Sequence, residues 1–107
     1  EIRKRLFVFE DLVSVTDEGL RKAMAGIDAL EIALALKTSS FDIRNKVLNN
    51  LSQRVRDGVQ EEIDAMGPKK LSDVESAQQK LVDSIKRVDA QEGSIIMRGD
   101  ELKDQLV

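Results

Sequence analysis

The 107-residue sequence contains no cysteine and no histidine. Without cysteine there is no disulfide frame, no thiolate zinc site and no cysteine nucleophile. Without histidine the commonest general base and the commonest metal ligand are both missing. No D-x-[DN]-x-[DN]-G loop offers a carboxylate cation site in their place. Tryptophan and tyrosine are absent too, so three phenylalanines are the whole aromatic content and any core must be aliphatic. No apolar run approaches the roughly 18 residues of a membrane-spanning helix, and no secretory signal pattern is visible. A basic excess is also lacking. The 17 Lys and Arg are outnumbered by 20 Asp and Glu, a net charge of −3, which argues against nucleic acid as a partner.

What is present is enough for one folded domain. Leu, Ile, Val and Phe make up 33 of the 107 residues, well above the roughly 20% below which a chain tends to stay disordered. A chain that begins at Glu1 reads as a piece of something longer. These bounds point to a cytosolic, non-enzymatic, all-α domain.

Helix signals recur along the chain. Ile2, Leu6, Phe9 and Val13 fall at i, i+4, i+7 and i+11, which predicts a helix over 2–13. Thr16 is a good N-cap for a short second helix carrying Leu20, Met24 and Ile27, with Gly26 near its end. Asp28 and Glu31 read as a capping pair opening 29–37, whose sequence ALEIALALK is apolar nearly all round and therefore central. Ser39 with Asp42 predicts the cap of a fourth helix, frayed at Asn49 and Asn50. Ser52 caps a fifth, stopped by Gly67 and Pro68. Ser72 with Glu75 forms an S-x-x-E box for the longest helix, 73–90, with Val74, Leu81, Ile85 and Val88 as its stripe and Gly93 as its stop. The tail 94–107 is expected to be flexible. The reading is a compact bundle of about six helices, compatible with armadillo-like superhelical packing. It divides into 1–15 as a hinge helix, 16–93 as the helical body and 94–107 as the tail.

The fifth predicted helix is the most informative. At 100° per residue Val55, Val59, Ile63 and Met66 share one sector, while Arg54, Asp57, Glu61 and Glu62 occupy an opposite arc of about 140°. The plain reading is a solvated face with an Arg54–Asp57 pair at i, i+3. The sharper reading is an electrostatic docking ridge, positive at one end and negative at the other. Lys37, Lys69 and Lys70 suit helix C-termini. The run Leu6-Phe7-Val8-Phe9 must bury two sides, either in the core or in a seam against a neighbouring segment. Catalysis is disfavoured, since the acids are accompanied by neither histidine nor a Gly-rich phosphate loop.

Several of these segments together resemble a known family. Leu6-Phe7-Val8-Phe9-Glu10-Asp11-Leu12-Val13 is similar to the Met-Phe-x-Phe hinge motif of the FliG family of flagellar motor switch proteins. Leu34-Ala35-Leu36-Lys37, then Asn50-Leu51-Ser52-Gln53-Arg54, then Met66-Gly67-Pro68 with Leu71-Ser72-Asp73-Val74-Glu75-Ser76-Ala77-Gln78 match further family segments in order. The resemblance runs from about Ile2 to Gly99. It implies the C-terminal domain of a rotor protein at the cytoplasmic face of the inner membrane, in the flagellar basal body, with no cofactor, metal or small-molecule substrate. It implies that Lys37, Arg54, Glu61, Glu62 and Lys70 meet the cytoplasmic loop of the stator protein MotA. It also implies contacts with other rotor switch proteins and neighbouring FliG subunits, with Leu6, Phe7, Val8 and Phe9 as hinge and packing seam. The alternative is a helical scaffold for rotor assembly that makes no stator contact. Where the family usually carries two Asp this chain has Glu61 and Glu62, and Lys70 replaces a common Arg, which weakens bidentate carboxylate binding there.

Overall fold

A computed structural model describes residues 7–92; Leu6, the start of the first predicted helix and the tail expected over 94–107 lie outside the described residues. Among the described residues there are six helical elements and no β-strand. They are a 3-10 helix Phe9–Ser14, then α1 Asp17–Met24, α2 Ala29–Leu36, α3 Phe41–Asn49, α4 Gln53–Ala65 and α5 Leu71–Glu92.

The N-terminal element departs from expectation. Phe7 and Val8 are not helical, and the turn of helix after them is 3-10 rather than α. Val8 is extended (φ −120°, ψ 170°), the conformation a β-branched residue favours. Its N–H donates to Asp11 Oδ2 at 3.0 Å, so the chain turns at Val8. Phe9, Leu12 and Val15 are then buried in the common core.

α2 is central, as its all-apolar sequence requires. Ile32, Ala33, Ala35 and Leu36 are buried, and the helix packs against both α4 and α5. α5 runs antiparallel to α2 and on past α1, an order seen in four contacts. Gln78 Nε2 donates to the Ala35 carbonyl (3.1 Å), and Lys80 meets Glu31 (2.7 Å). Ser84 Oγ donates to the Ala23 carbonyl (2.6 Å), and Lys22 meets Glu92 (2.8 Å). Val74, Ala77, Leu81, Ile85 and Val88 form its buried stripe.

The caps match expectation only in part. Thr16 accepts from Gly19 N–H (3.1 Å) and Ser52 from Val55 N–H (3.4 Å), as expected. Asp28 is the N-cap of α2 but its side chain makes no capping bond. α3 is capped by Ser40, not Ser39, because Ser39 Oγ donates instead to the Leu36 carbonyl (2.9 Å). α5 begins at Leu71, two residues ahead of the expected start at 73, with Asp73 N–H already bonded to the Lys70 carbonyl (3.0 Å). Gly67 does not adopt a left-handed cap. α4 stops because Met66 turns extended (φ −75°, ψ 121°) and Pro68 disfavours helix in the residue before it. Asn50 is not frayed. It donates to Asp17 Oδ1 (3.1 Å) and to the Lys46 carbonyl (2.9 Å), and accepts from Arg21 (2.9 Å).

Candidate interaction surface

α4 places Arg54, Asp57, Glu61 and Glu62 in solvent, all exposed. Among the described residues none of these four side chains forms an ion pair or a hydrogen bond, and the expected Arg54–Asp57 pair is not made. Arg56, by contrast, turns inward: it is half-buried and its guanidinium donates to the Leu51 carbonyl at 3.2 Å. The outward positive end of the helix is therefore Arg54 alone.

The order of charge along α4 runs against its own backbone. The helix has no acid in its first turn and no base in its last, with Arg54 near the start and Glu61, Glu62 and Asp64 towards the end. A helix macrodipole favours the opposite arrangement by about 0.3–1 kcal/mol per charge at low ionic strength. On the inner side of α4 Val59 is buried, and Ile63 and Met66 pack partly buried against the core.

Lys37 is the C-cap residue of α2 and is half-buried; Lys70 is exposed just before α5. Leu71 lines one cavity with Thr38, Ser39 and Ser40, so these two lysines lie at the same end of the bundle. In the seam, Phe9 is 6% exposed and Val8 46%, while Phe7 is half-buried. The three border a groove with Glu10 and Glu75. Phe9 is thus the phenylalanine of the run that is largely buried.

Val55 is the residue whose setting the sequence did not reveal. Assigned to the inward sector of its helix, it is 39% exposed and lines an open hollow with Ile27 and Leu51. Helical periodicity gives the direction of a side chain but not whether a neighbour covers it. Among the described residues no group of three or more acids could hold a metal ion, and no helix is long and apolar enough to cross a membrane.

Residues 1–97 match the model of the FliG C-terminal domain family. The flagellar motor switch protein FliG of Thermotoga maritima is 38% identical over 99 residues, covering 92% of this chain and 30% of that protein. FliG of Borreliella burgdorferi is 37% identical over 107 residues, covering 100% of this chain and 31% of its own length. The crystal structure of FliG residues 86–343 from H. pylori superposes with a TM-score of 0.77 at 32% identity, covering 87% of this chain and 43% of that one. The chain thus spans about a third of the length of the curated relatives it matches.

Proposed function

The chain belongs to the FliG C-terminal domain family, and from that premise we propose that it is a non-enzymatic rotor domain of the flagellar motor switch that receives torque through its α4 ridge. In this reading Arg54, Glu61 and Glu62, flanked by Lys37 and Lys70, meet opposite charges on the cytoplasmic loop of the stator protein MotA, at the cytoplasmic face of the inner membrane. Leu6 to Phe9 carry the connection to other switch proteins and neighbouring FliG subunits, through the half-buried Phe7 and the exposed Val8.

The observation that carries the proposal is the α4 charge order. These side chains have no partner among the described residues and oppose their own helix dipole, so the fold does not account for them. A partner with complementary charge does. Exposed ion pairs contribute about 0.2–1 kcal/mol each and are screened by salt. Contacts of that strength can form and break at every passage of a rotating surface.

The test is soft-agar motility of cells whose full-length protein carries Arg54→Glu with Glu61→Lys. Swimming should fall sharply, far more than with Arg54→Ala, Glu61→Gln or Glu62→Gln alone. Circular dichroism should stay unchanged, and reversing the matching charges on the stator loop should restore part of the motility. Normal swimming by a folded, rotor-assembled double reversal overturns the reading. So does a loss of motility that tracks a loss of fold.

A further inference from the structure

The hollow beside Arg54 gives the ridge a second kind of contact. It lies where α4 begins, between the end of α1 and the start of α2, and has a volume of about 220 Å³. That is room for a side chain or two, not for a helix. Its floor is Met24 and Ile32, both buried, and its walls are Ile27, Leu51 and the 39%-exposed Val55. Of the α4 stripe Val59 is buried and Ile63 and Met66 pack partly buried against the core, which leaves Val55 as its exposed member.

The rim carries one sign of charge. Arg21 is the charged residue that lines the hollow, and Arg54, one residue before Val55, stands outside the lining on the ridge. Arg21 spends one N–H on Asn50 Oδ1 at 2.9 Å. Neither arginine has a carboxylate partner among the described residues, and no Asp or Glu lines the hollow. An apolar floor beside the Arg21 guanidinium, which no carboxylate neutralises among the described residues, is complementary to an aliphatic side chain next to a carboxylate.

Resting on the reading that the α4 ridge meets the stator loop, we infer that the hollow receives an aliphatic side chain from an acidic–aliphatic stretch of that loop, while the adjoining carboxylate pairs with Arg54. Charges along a ridge attract over roughly a Debye length, about 10 Å at 0.1 M salt, and so over more than one register. A shape-limited apolar contact is made at one register only. The hollow therefore sets where along the ridge the partner engages, and its small size keeps the contact brief.

Two readouts on the full-length protein in swimming cells test this together. Val55→Asn alters no charge and keeps similar helix propensity, so a purely electrostatic ridge would ignore it. The inference expects the swim ring to shrink roughly two-fold, as for a residue inside a binding patch, with circular dichroism unchanged. Val55→p-benzoylphenylalanine and Asp57→p-benzoylphenylalanine are then photo-crosslinked. Position 55 should capture the stator at a loop segment holding an aliphatic residue beside an acid. Stator capture from position 57 but not 55, or parental swimming by Val55→Asn, overturns the hollow and leaves the charge ridge standing. Capture of the stator from neither position overturns both.

Discussion

α1 and α4 are capped alike and charged oppositely. Each starts with a hydroxyl side chain that accepts the N–H three residues on, Thr16 in α1 and Ser52 in α4. α1 then places Asp17 and Glu18 in its first turn and Arg21 and Lys22 in its last, the order the macrodipole rewards. Its Lys22 reaches Glu18 (3.6 Å) within the helix and Glu92 (2.8 Å) on α5. α4 reverses the order and pairs none of the four charges on its ridge within the described residues. α1 buries Gly19, Leu20, Ala23 and Met24 out of eight residues, whereas α4 buries Val59 out of thirteen. The charges of α1 serve the fold that contains them. Those of α4 are tolerated by the fold, and the proposed stator contact would give them a use outside it.

The largest expected effect separates the two helices as core and surface. Leu20 is 0% exposed, and truncating such a leucine to Ala costs about 2–5 kcal/mol. Val55→Ala, at the open hollow of α4, should stay within about 1 kcal/mol, since most of the cavity cost of a core truncation does not arise there. Urea unfolding monitored by circular dichroism gives both numbers. Equal costs would remove the distinction.

The caps should cost the same in stability and differ in consequence. Thr16→Ala and Ser52→Ala each lose one N-cap bond, worth about 0.5–2 kcal/mol. Only Ser52→Ala loosens the turn that holds Arg54. At matched loss of unfolding free energy, cells with Ser52→Ala in the full-length protein should therefore swim worse than those with Thr16→Ala. If the two swim equally, the precise seating of Arg54 does not matter.

Alkaline pH should discriminate more weakly. The side-chain hydrogen bond to Glu92 is the main cause of a raised Lys22 pKa, opposed by some desolvation and aided by the charges of Glu92 and Glu18. A raised folded-state pKa means the contribution is complete below the ordinary lysine value and fades as pH rises through the folded one. The melting temperature of Lys22→Gln should therefore fall less than that of the parent across that alkaline window. Arg54 makes no ion pair among the described residues, so Arg54→Gln should follow the parental curve.

Periodicity and stop signals made most of the fold legible. The apolar sequence of α2, the stripe of α5 and the Ser52 cap all read directly. Errors arose where two local options compete within one residue. Ser39 and Ser40 can both cap, and the choice is made by the Leu36 carbonyl that Ser39 occupies. The hydrophobic stripe of 2–13 gave no sign that Val8 would be extended, because that turn depends on the Asp11 side chain bonding back to Val8. For the surface, the wheel correctly put Arg54, Glu61 and Glu62 outward. It could not show that they are unpaired among the described residues, nor that Val55 is 39% exposed, since both depend on what neighbouring helices bring near.

The smallest effect is one of sign. Glu18 stands in the first turn of α1 and supports the dipole, so Glu18→Gln should destabilise by about 0.3–1 kcal/mol at low ionic strength. Glu61 and Glu62 stand in the C-terminal half of α4, where carboxylates oppose the dipole. Glu61→Gln or Glu62→Gln should leave stability unchanged or raise it by about 0.3 kcal/mol, although each should lower swimming. Salt should shrink both differences towards zero, because exposed charges are screened over about 10 Å at 0.1 M. Thermal unfolding of the three variants at low and moderate salt measures the signs. A loss of stability from either Gln in α4 would mean that the ridge acids are engaged by the fold after all, and the contrast between the two helices would collapse. A gain in stability with a loss of swimming identifies residues kept at a cost to the fold for the sake of a partner.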